Sequence, residues 1–380
     1  MRRPVPNAIC CLLHNLTPGG SGWQWVRLLG RHVEDGGRAT IVAPPGPLAE
    51  PARAAGVEVV PTREWIEFDQ RPRPELWGVV GDHDIAVVQW EQAVMEAFEP
   101  ALRACDRAAL ALHQSPLALS RWFGPPTVEM ARAVLERALA DRRAVALVRG
   151  EAHRRQVGAA FGLPTGGLRV LPASVPLPAL PFRPQTGAPG EILAMTRLAP
   201  EKAAIVRLAV ELAGAGLATG SRVRLVIAGE GRWRGQAIAL CERRLPTGSW
   251  RIEGAPVDPV ARLAAADVVV AQGLTTLEAA ALGRRVIVAR GADQSRATGS
   301  VLTPERFDQT ARDPFGEPPL TDDCERLWEE AVALSTAQLT LLRDLVETHN
   351  SLDTASLALR AALAETASRW RIPIWRPRRA

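Results

Sequence analysis

The chain has 380 residues, enough for two domains of roughly 180 by the usual ~100–200 residues each. With 47% hydrophobic and 23% charged residues it is neither disordered nor fibrous, and no apolar run approaches the ~18–20 residues of a membrane span. The formal charge is +5, but acidic and basic residues interleave along most of the chain, whereas a nucleic-acid reader clusters cations with aromatics on one surface.

Met1-Arg2-Arg3 before Ala8–Leu13 carries the charge of a signal peptide without its ~7–15-residue apolar core or a cleavage site, so a soluble cytoplasmic protein is expected. Ala8–Leu13 is a continuous apolar run, as in a strand buried on both faces. Pro18-Gly19-Gly20-Ser21-Gly22 breaks it, and Trp23–Val33 follows at helical spacing. Further strands are predicted over Ala39–Ala43, Val57–Val60, Ile85–Trp90, Ala108–His113, Ala144–Val148 and Arg169–Leu171. Helices over Leu48–Ala55, Val94–Cys105 and Pro126–Ala140 fall between them. Leu163 to Gly190 is dense in Pro and Gly, which predicts an interdomain linker. A second alternation then begins, with strands over Ile192–Thr196, Val223–Ala228, Trp250–Glu253, Val268–Ala271 and Val286–Ala289. Its helices are Ala203–Ala213, Arg234–Arg244, Pro259–Ala266 and Thr276–Leu282, and Asp322–Ala367 is largely helical. Alternation of this kind makes an α/β chain of two Rossmann-like, doubly wound domains. The expected bounds are 1–180, a linker at 181–190, 191–355, and a terminal helix with tail at 356–380 returning to the first domain. Ligands in such sheets bind beyond the carboxyl ends of the strands, so the two domains are expected to face one cleft.

The five cysteines are scattered and show no paired metal-site spacing, and the six histidines form no H-x-x-x-H pair. Free thiols and no metal are the expectation. One count is sharper. Of 46 basic residues a single one, Lys202, is lysine. A compact ammonium with three donors suits phosphate oxygens where a planar guanidinium does not fit.

Three segments follow predicted strands. Gly19-Gly20-Ser21-Gly22 opens a helix whose free N–H groups could meet an anion, though it lacks the GxGxxG order of a dinucleotide site. A tight turn with Ser21 as cap is the plainer reading. Thr196-Arg197-Leu198-Ala199-Pro200-Glu201-Lys202 puts two cations five residues apart, suited to a diphosphate. Gly273-Leu274-Thr275-Thr276 begins a helix carrying Glu278 among apolar neighbours, where a carboxylate needs partners such as a ribose diol.

In this order the segments resemble the glycosyltransferases of the GT-B fold, and are similar to family 4. Arg197-Leu198-Ala199-Pro200-Glu201-Lys202 resembles that family's G-R-L-x-x-E-K turn, Val226–Gly231 its V-I-x-G-x-G strand end, and Gly273–Gly283 its G-L-x-x-L-E-A-x-x-x-G helix. His113-Gln114-Ser115-Pro116, Glu151–Arg155 and Arg169–Pro172 resemble first-domain segments. The resemblance implies a donor nucleotide-sugar held by the second domain and no cofactor. Arg197 and Lys202 would hold the diphosphate, with Gly229, Gly273, Leu274, Thr275 and Thr276 at the donor and Glu278 on the ribose. Gly20 would lie near donor or acceptor and His113 near the reacting sugar. Transfer would proceed with retention and without metal, the leaving phosphate taking the acceptor's proton.

The sequence departs from the pattern at Val270, eight residues before Glu278, where the family has a glutamate, at Thr196 for the turn glycine and at Ala173 for an asparagine. A degenerate GT-B protein that binds nucleotide or glycan without catalysis is therefore the alternative. An epimerase on the same fold would need paired cleft carboxylates, and no convincing pair stands out. Asp82-His83-Asp84 fits a metal-binding D-x-D but reads better as a turn before a strand, and His14 as a strand-end residue. Trp23, Trp25, Trp65 and Trp90 are candidates for an acceptor wall. The acceptor could be a sugar, a lipid-linked or a small molecule. The tail from Arg369 to Arg379 could touch an anionic membrane face, or pack on the body through Trp370, Ile372, Ile374 and Trp375.

Overall fold

The computed structural model describes residues 6–62, 74–90, 96–114, 125–177, 180–290, 297–312 and 319–366. Trp65, Ser115, Pro116 and the basic tail lie outside them. The chain divides into two compact units, Met1–Pro172 with Ala355–Ala380, and Ala173–Thr354.

The first unit is built on β1 (Ala8–Leu12), β2 (Arg38–Ala43), β3 (Glu58–Pro61), β4 (Ile85–Gln89), β5 (Ala108–Ala111), β6 (Ala144–Val148) and β7 (Leu168–Val170). Between them run α1 (Gly20–Glu34), α2 (Ala49–Ala54), α3 (Pro74–Gly81), α4 (Phe98–Cys105), α5 (Pro125–Ala140) and α6 (Glu151–Phe161). The sheet order is β3-β2-β1-β4-β5-β6-β7 and every pair is parallel. Parallel strands are covered on both faces by their crossover helices, which is why β1 and β4 are buried at all five positions and read as apolar runs, broken only by Gln89 at the end of β4. The order reverses between β1 and β4, opening a crevice at their carboxyl ends. α3 escaped the sequence reading because Gly78 and Gly81 interrupt its eight residues.

The second unit carries β8 (Glu191–Met195), β9 (Arg224–Ala228), β10 (Trp250–Glu253), β11 (Val268–Ala271), β12 (Arg285–Arg290) and β13 (Thr298–Val301). Its helices are α7 (Ala203–Ala218), α8 (Arg234–Arg244), α9 (Pro259–Ala264), α10 (Leu274–Ala281), α11 (Cys324–Val332), α12 (Thr336–Asn350) and the start of α13 (Leu352–Ala364). The order is β10-β9-β8-β11-β12-β13. Among the described strands only β13 runs antiparallel, and its Thr-Gly-Ser-Val sequence lacks the apolar run that marks β8, β9 and β11.

The Pro-rich stretch from 173 to 190 groups with the second unit and is tied down there. Arg183 and Gln185 donate backbone N–H bonds to Leu282 O and Gly283 O, and Gly190 and Glu191 both donate to the Asp267 carboxylate at 2.6 and 2.8 Å. Buried Arg284 donates to Ala264 O, Ala266 O, Leu282 O and the Gln185 side chain, and Arg343 to Leu177 O, Leu180 O and Ala281 O. Arginine's five-donor fork can collect several carbonyls at once, which a lysine cannot do. The same device anchors α13 to the first unit: Arg107 donates to Thr366 Oγ1 and Leu363 O, both at 2.7 Å.

Candidate functional site

In the second unit β8 and β11 are neighbours, so their carboxyl ends stand about 5 Å apart. Beyond β8 the chain turns through Thr196–Ala199 into a short helical turn, Pro200–Lys202, that leads into α7. Thr196 N–H bonds to Ala228 O, Leu198 N–H to Glu230 O, and Trp233 N–H to Leu198 O, so residues 228–233 strap the turn from one side. The strap explains two glycines. A Cβ on Gly229 would lie 1.9 Å from Thr196 O and one on Gly231 2.2 Å from Leu198 O, and both residues sit at φ near +150°. The close backbone crossing alone requires Gly229, the residue read from sequence as a donor contact.

Arg197 and Lys202 leave this turn differently. Arg197 is exposed, its Nη2 donating to Glu201 at 3.2 Å. Lys202 is half-buried, with Nζ 3.5 Å from the Oε1 of Gln272, the first residue past β11. Gln272 in turn donates Nε2 to Ala289 O at 2.9 Å, which fixes its amide orientation. Burial pushes the Lys202 ammonium below the usual lysine range, the Arg197 charge adds to the fall, and Glu201 opposes it. Val270, where the resemblance expects a carboxylate, is fully buried inside β11 between Ala194 and Ile287. No side chain at that position could face a ligand, and Gln272 is the polar group at the strand end. Sequence counting passed over it because an amide carries no charge to notice.

Gly273, at φ +63°, turns the chain from β11 into α10 and offers no side-chain cap. The first N–H groups of the helix, at Leu274 and Thr275, are thereby left to a ligand or water. The Leu274 side chain packs into the core, so only its backbone can take part. Thr276 is 1% exposed and its Oγ1 has no partner, an orphan polar atom in the first turn. Glu278, two residues further along the helix, is buried as well.

In the first unit Gly20 is the exposed first residue of α1, and Gly19, not Ser21, is the N-cap. His113 lies two residues beyond β5, half-buried. Near it, on α6, His153 is fully buried, and sequence reading passed over its role. Its Nδ1 accepts the backbone N–H of Arg149 at 3.2 Å, so Nε2 carries the proton and donates to Gln114 O at 3.0 Å. Burial above all lowers the His153 pKa to about 3, with Arg149 and His113 adding to the fall and the Gln114 bond opposing it. An unfolded histidine titrates near 6.5, so between that pH and about 3 the unfolded chain binds the extra proton and stability is lost as pH falls. Burial also lowers His32 and His83, which act in the same direction. Unfolding free energies measured at pH 7 and pH 5 should differ by about 2 kcal/mol from His153 alone. His153→Gln should shrink that difference, and an unchanged slope would contradict the assignment.

Other candidates dissolve on inspection. Trp25 and Trp90 are 3% and 1% exposed and belong to the core, while half-buried Trp23 stacks under Arg27. Asp84 precedes β4 at the amino-terminal edge of the sheet, where it accepts the N–H groups of Asn7 and Ala8, and His83 bonds to Thr40 and Val79 O. That D-x-D is a structural turn. His14 donates its backbone N–H to Gln89 Oε1. Among the described residues no group of three or more His, Cys, Asp and Glu could hold a metal ion, no helix is long and apolar enough to cross a membrane, and the cysteines are free.

No protein-family model and no curated protein matches the sequence. Solved structures do match in shape. HepE of Anabaena, solved with UDP and glucose, superposes with a TM-score of 0.70 at 14% identity, covering 94% of this chain and 99% of its own. A glycosyltransferase from Rickettsia africae gives 0.64 at 11%, covering 95% and 99%. Sucrose-phosphate synthase from Thermosynechococcus elongatus gives 0.62 at 13%, covering 93% and 97%. At such identities the likeness speaks for architecture, and the architecture is that of the GT-B glycosyltransferases, two Rossmann-like α/β domains in one chain.

Proposed function

We propose that the protein is a glycosyltransferase that moves a sugar from a nucleoside-diphosphate sugar to an acceptor hydroxyl, with retention and without bound metal. The donor occupies the strand ends of the second unit and the acceptor those of the first. The observation that carries this reading is Lys202, the only lysine of the chain, half-buried past the end of β8, where the one carboxylate that favours its charge, Glu201, is shared with Arg197. A diphosphate would supply that charge, and Arg197 would hold the outer oxygens. The uncapped start of α10 and the orphan Thr276 hydroxyl support a phosphate at the same edge. Glu278 would accept from the ribose hydroxyls, Gly20 would stand near donor or acceptor, and His113 near the transferred sugar. HepE, of like shape, was solved with UDP and with UDP-glucose. In the transfer the bond from C1 to the β-phosphate oxygen breaks, the acceptor oxygen bonds to C1, and the leaving phosphate accepts the hydroxyl proton. Lys202 and Arg197 stabilise the charge that gathers on that phosphate.

The tail from Arg369 to Arg379 would bring the enzyme to an anionic cytoplasmic membrane face, where lipid-linked acceptors reside.

Calorimetric titration with UDP and with pyrophosphate tests the reading. Glu278→Gln should weaken UDP about 10-fold, on the order of one charge-assisted hydrogen bond, and leave pyrophosphate unchanged because it has no ribose. Equal loss for both ligands would remove Glu278 from the ribose. A wild-type chain that ignores every nucleoside diphosphate would end the proposal. One that binds them yet consumes no donor sugar with any acceptor would be the nucleotide-binding GT-B protein without catalysis that Val270 brings to mind.

A further inference from the structure

In the second unit the enclosed arginines are answered by carboxylates or by rows of carbonyls. Arg262 bridges Glu191 and Glu253 at 2.8 and 2.9 Å, while Arg284 and Arg343 each collect several backbone oxygens. Lys202 is met differently. Among the described residues the hydrogen-bond acceptor facing its Nζ is a neutral one, Oε1 of Gln272 at 3.5 Å. The carboxylate that favours its charge, Glu201, also receives Arg197 Nη2 at 3.2 Å. Val270, where the resemblance expects a glutamate, is sealed inside β11.

The amide is specified from both ends. Half-buried Gln272 donates Nε2 to Ala289 O, in the neighbouring strand β12, at 2.9 Å, and turns Oε1 toward the ammonium. A carbonyl can only accept and an ammonium can only donate, so a reversed amide would set oxygen against oxygen and N–H against N–H. The side chain is thus anchored to one side of β11 and reaches Lys202 on the turn that follows β8, the strand on the other side. A carboxylate in that place would draw the ammonium into an ion pair and cancel its charge. An apolar side chain would leave a flexible four-carbon stem with nothing to hold its end. An amide dipole holds the ammonium and leaves its net charge whole.

We infer that Gln272 is a positioning residue for the donor: its amide fixes the Lys202 ammonium beyond the strand ends and keeps that charge uncancelled for the diphosphate. This deepens the glycosyltransferase reading and rests on it for the diphosphate. The hold of the amide on the ammonium stands on the second unit alone. Gln272 touches no reacting atom and acts through Lys202, so its effect on the ligand should vanish when the ammonium is gone.

Because Lys202 is the only lysine, the full chain labelled with 13C-lysine gives a single Hε–Cε signal that reports this ammonium. Its wild-type titration midpoint should lie below the ordinary lysine range, with burial and Arg197 lowering it and Glu201 raising it. Gln272→Glu should raise the midpoint by about one unit or more, since a carboxylate favours the charged form, and weaken UDP and pyrophosphate alike by about 10-fold. Gln272→Met keeps the length and loses the acceptor, and should weaken both ligands about 3- to 10-fold. Placed on a Lys202→Met chain, the same Gln272→Met change should alter either affinity by less than about two-fold. A residue that merely supported the fold would cost the same in both backgrounds, and that result would overturn the inference. So would a Lys202 midpoint unmoved by Gln272→Glu, a reading that stands even where the methionine variant does not fold. A Gln272→Met chain that loses a UDP-sugar but keeps UDP would move Gln272 to the sugar and overturn it too. If the wild type binds neither UDP nor pyrophosphate, the donor reading falls, and the midpoint in Gln272→Glu still decides the hold of the amide on the ammonium.

Discussion

Replacing Lys202 by alanine is expected to weaken UDP binding about 10- to 100-fold, the loss of one charge-assisted contact in a partly desolvated place, and to lower turnover of the donor sugar by roughly 100-fold or more. Lys202→Arg should rescue little of this, because a planar fork cannot occupy the space of a compact ammonium held against Gln272. Lys202→Met separates chemistry from stability. The ammonium is disfavoured where it sits, so the folded state gives up stability to keep it charged at neutral pH, and that cost fades only as pH rises toward the ordinary lysine range. Methionine keeps the length and drops the charge, so the ligand-free chain should melt no lower while UDP affinity falls as in the alanine variant. A Lys202→Met chain that binds UDP normally would separate this residue from the diphosphate, and with it the central reading of the second unit.

Gly229→Ala should be the most damaging single methyl in the second unit. The added carbon would stand 1.9 Å from Thr196 O, a backbone atom that cannot swing aside, at a φ of +152° that L-residues rarely adopt. Relief requires the strap to part from the turn, with loss of about 2–4 kcal/mol from strain and broken hydrogen bonds. The turn carries Arg197 and Lys202, so UDP affinity should fall together with the denaturation midpoint. Gly235→Ala is the control: no atom lies within 4 Å of its Cβ position, and a helical alanine should leave both quantities within error or raise the midpoint. Equal effects from the two substitutions would show that the strap does not set the turn.

The architecture was largely legible before any coordinates, since strands buried on both faces cannot hide: β1, β4, β8, β9 and β11 are nearly pure apolar runs with a helix after each. β13 was not, because an antiparallel edge strand of Thr, Gly, Ser and Val has no such signature. The candidate edge of the second unit announced itself through a rarity, one lysine among 46 basic residues, and through glycines before a helix. What stayed hidden were groups defined by their partners. Gln272 gains meaning only because β8 and β11 are adjacent, and His153 only because its two ring nitrogens are both spoken for. Gly229 was visible in the sequence, but the backbone crossing that requires a glycine there was not.

The return of α13 has a consequence for how the molecule is made. The second unit is one uninterrupted stretch, whereas the first is assembled from both sides of it, with Arg107 and Arg169 waiting for Leu363, Glu365 and Thr366. The later half can therefore close on a contiguous stretch of chain, while the earlier half must wait for a brace from the far side of it. A chain ended at Thr354 should resist protease across the second unit and be cut within the first.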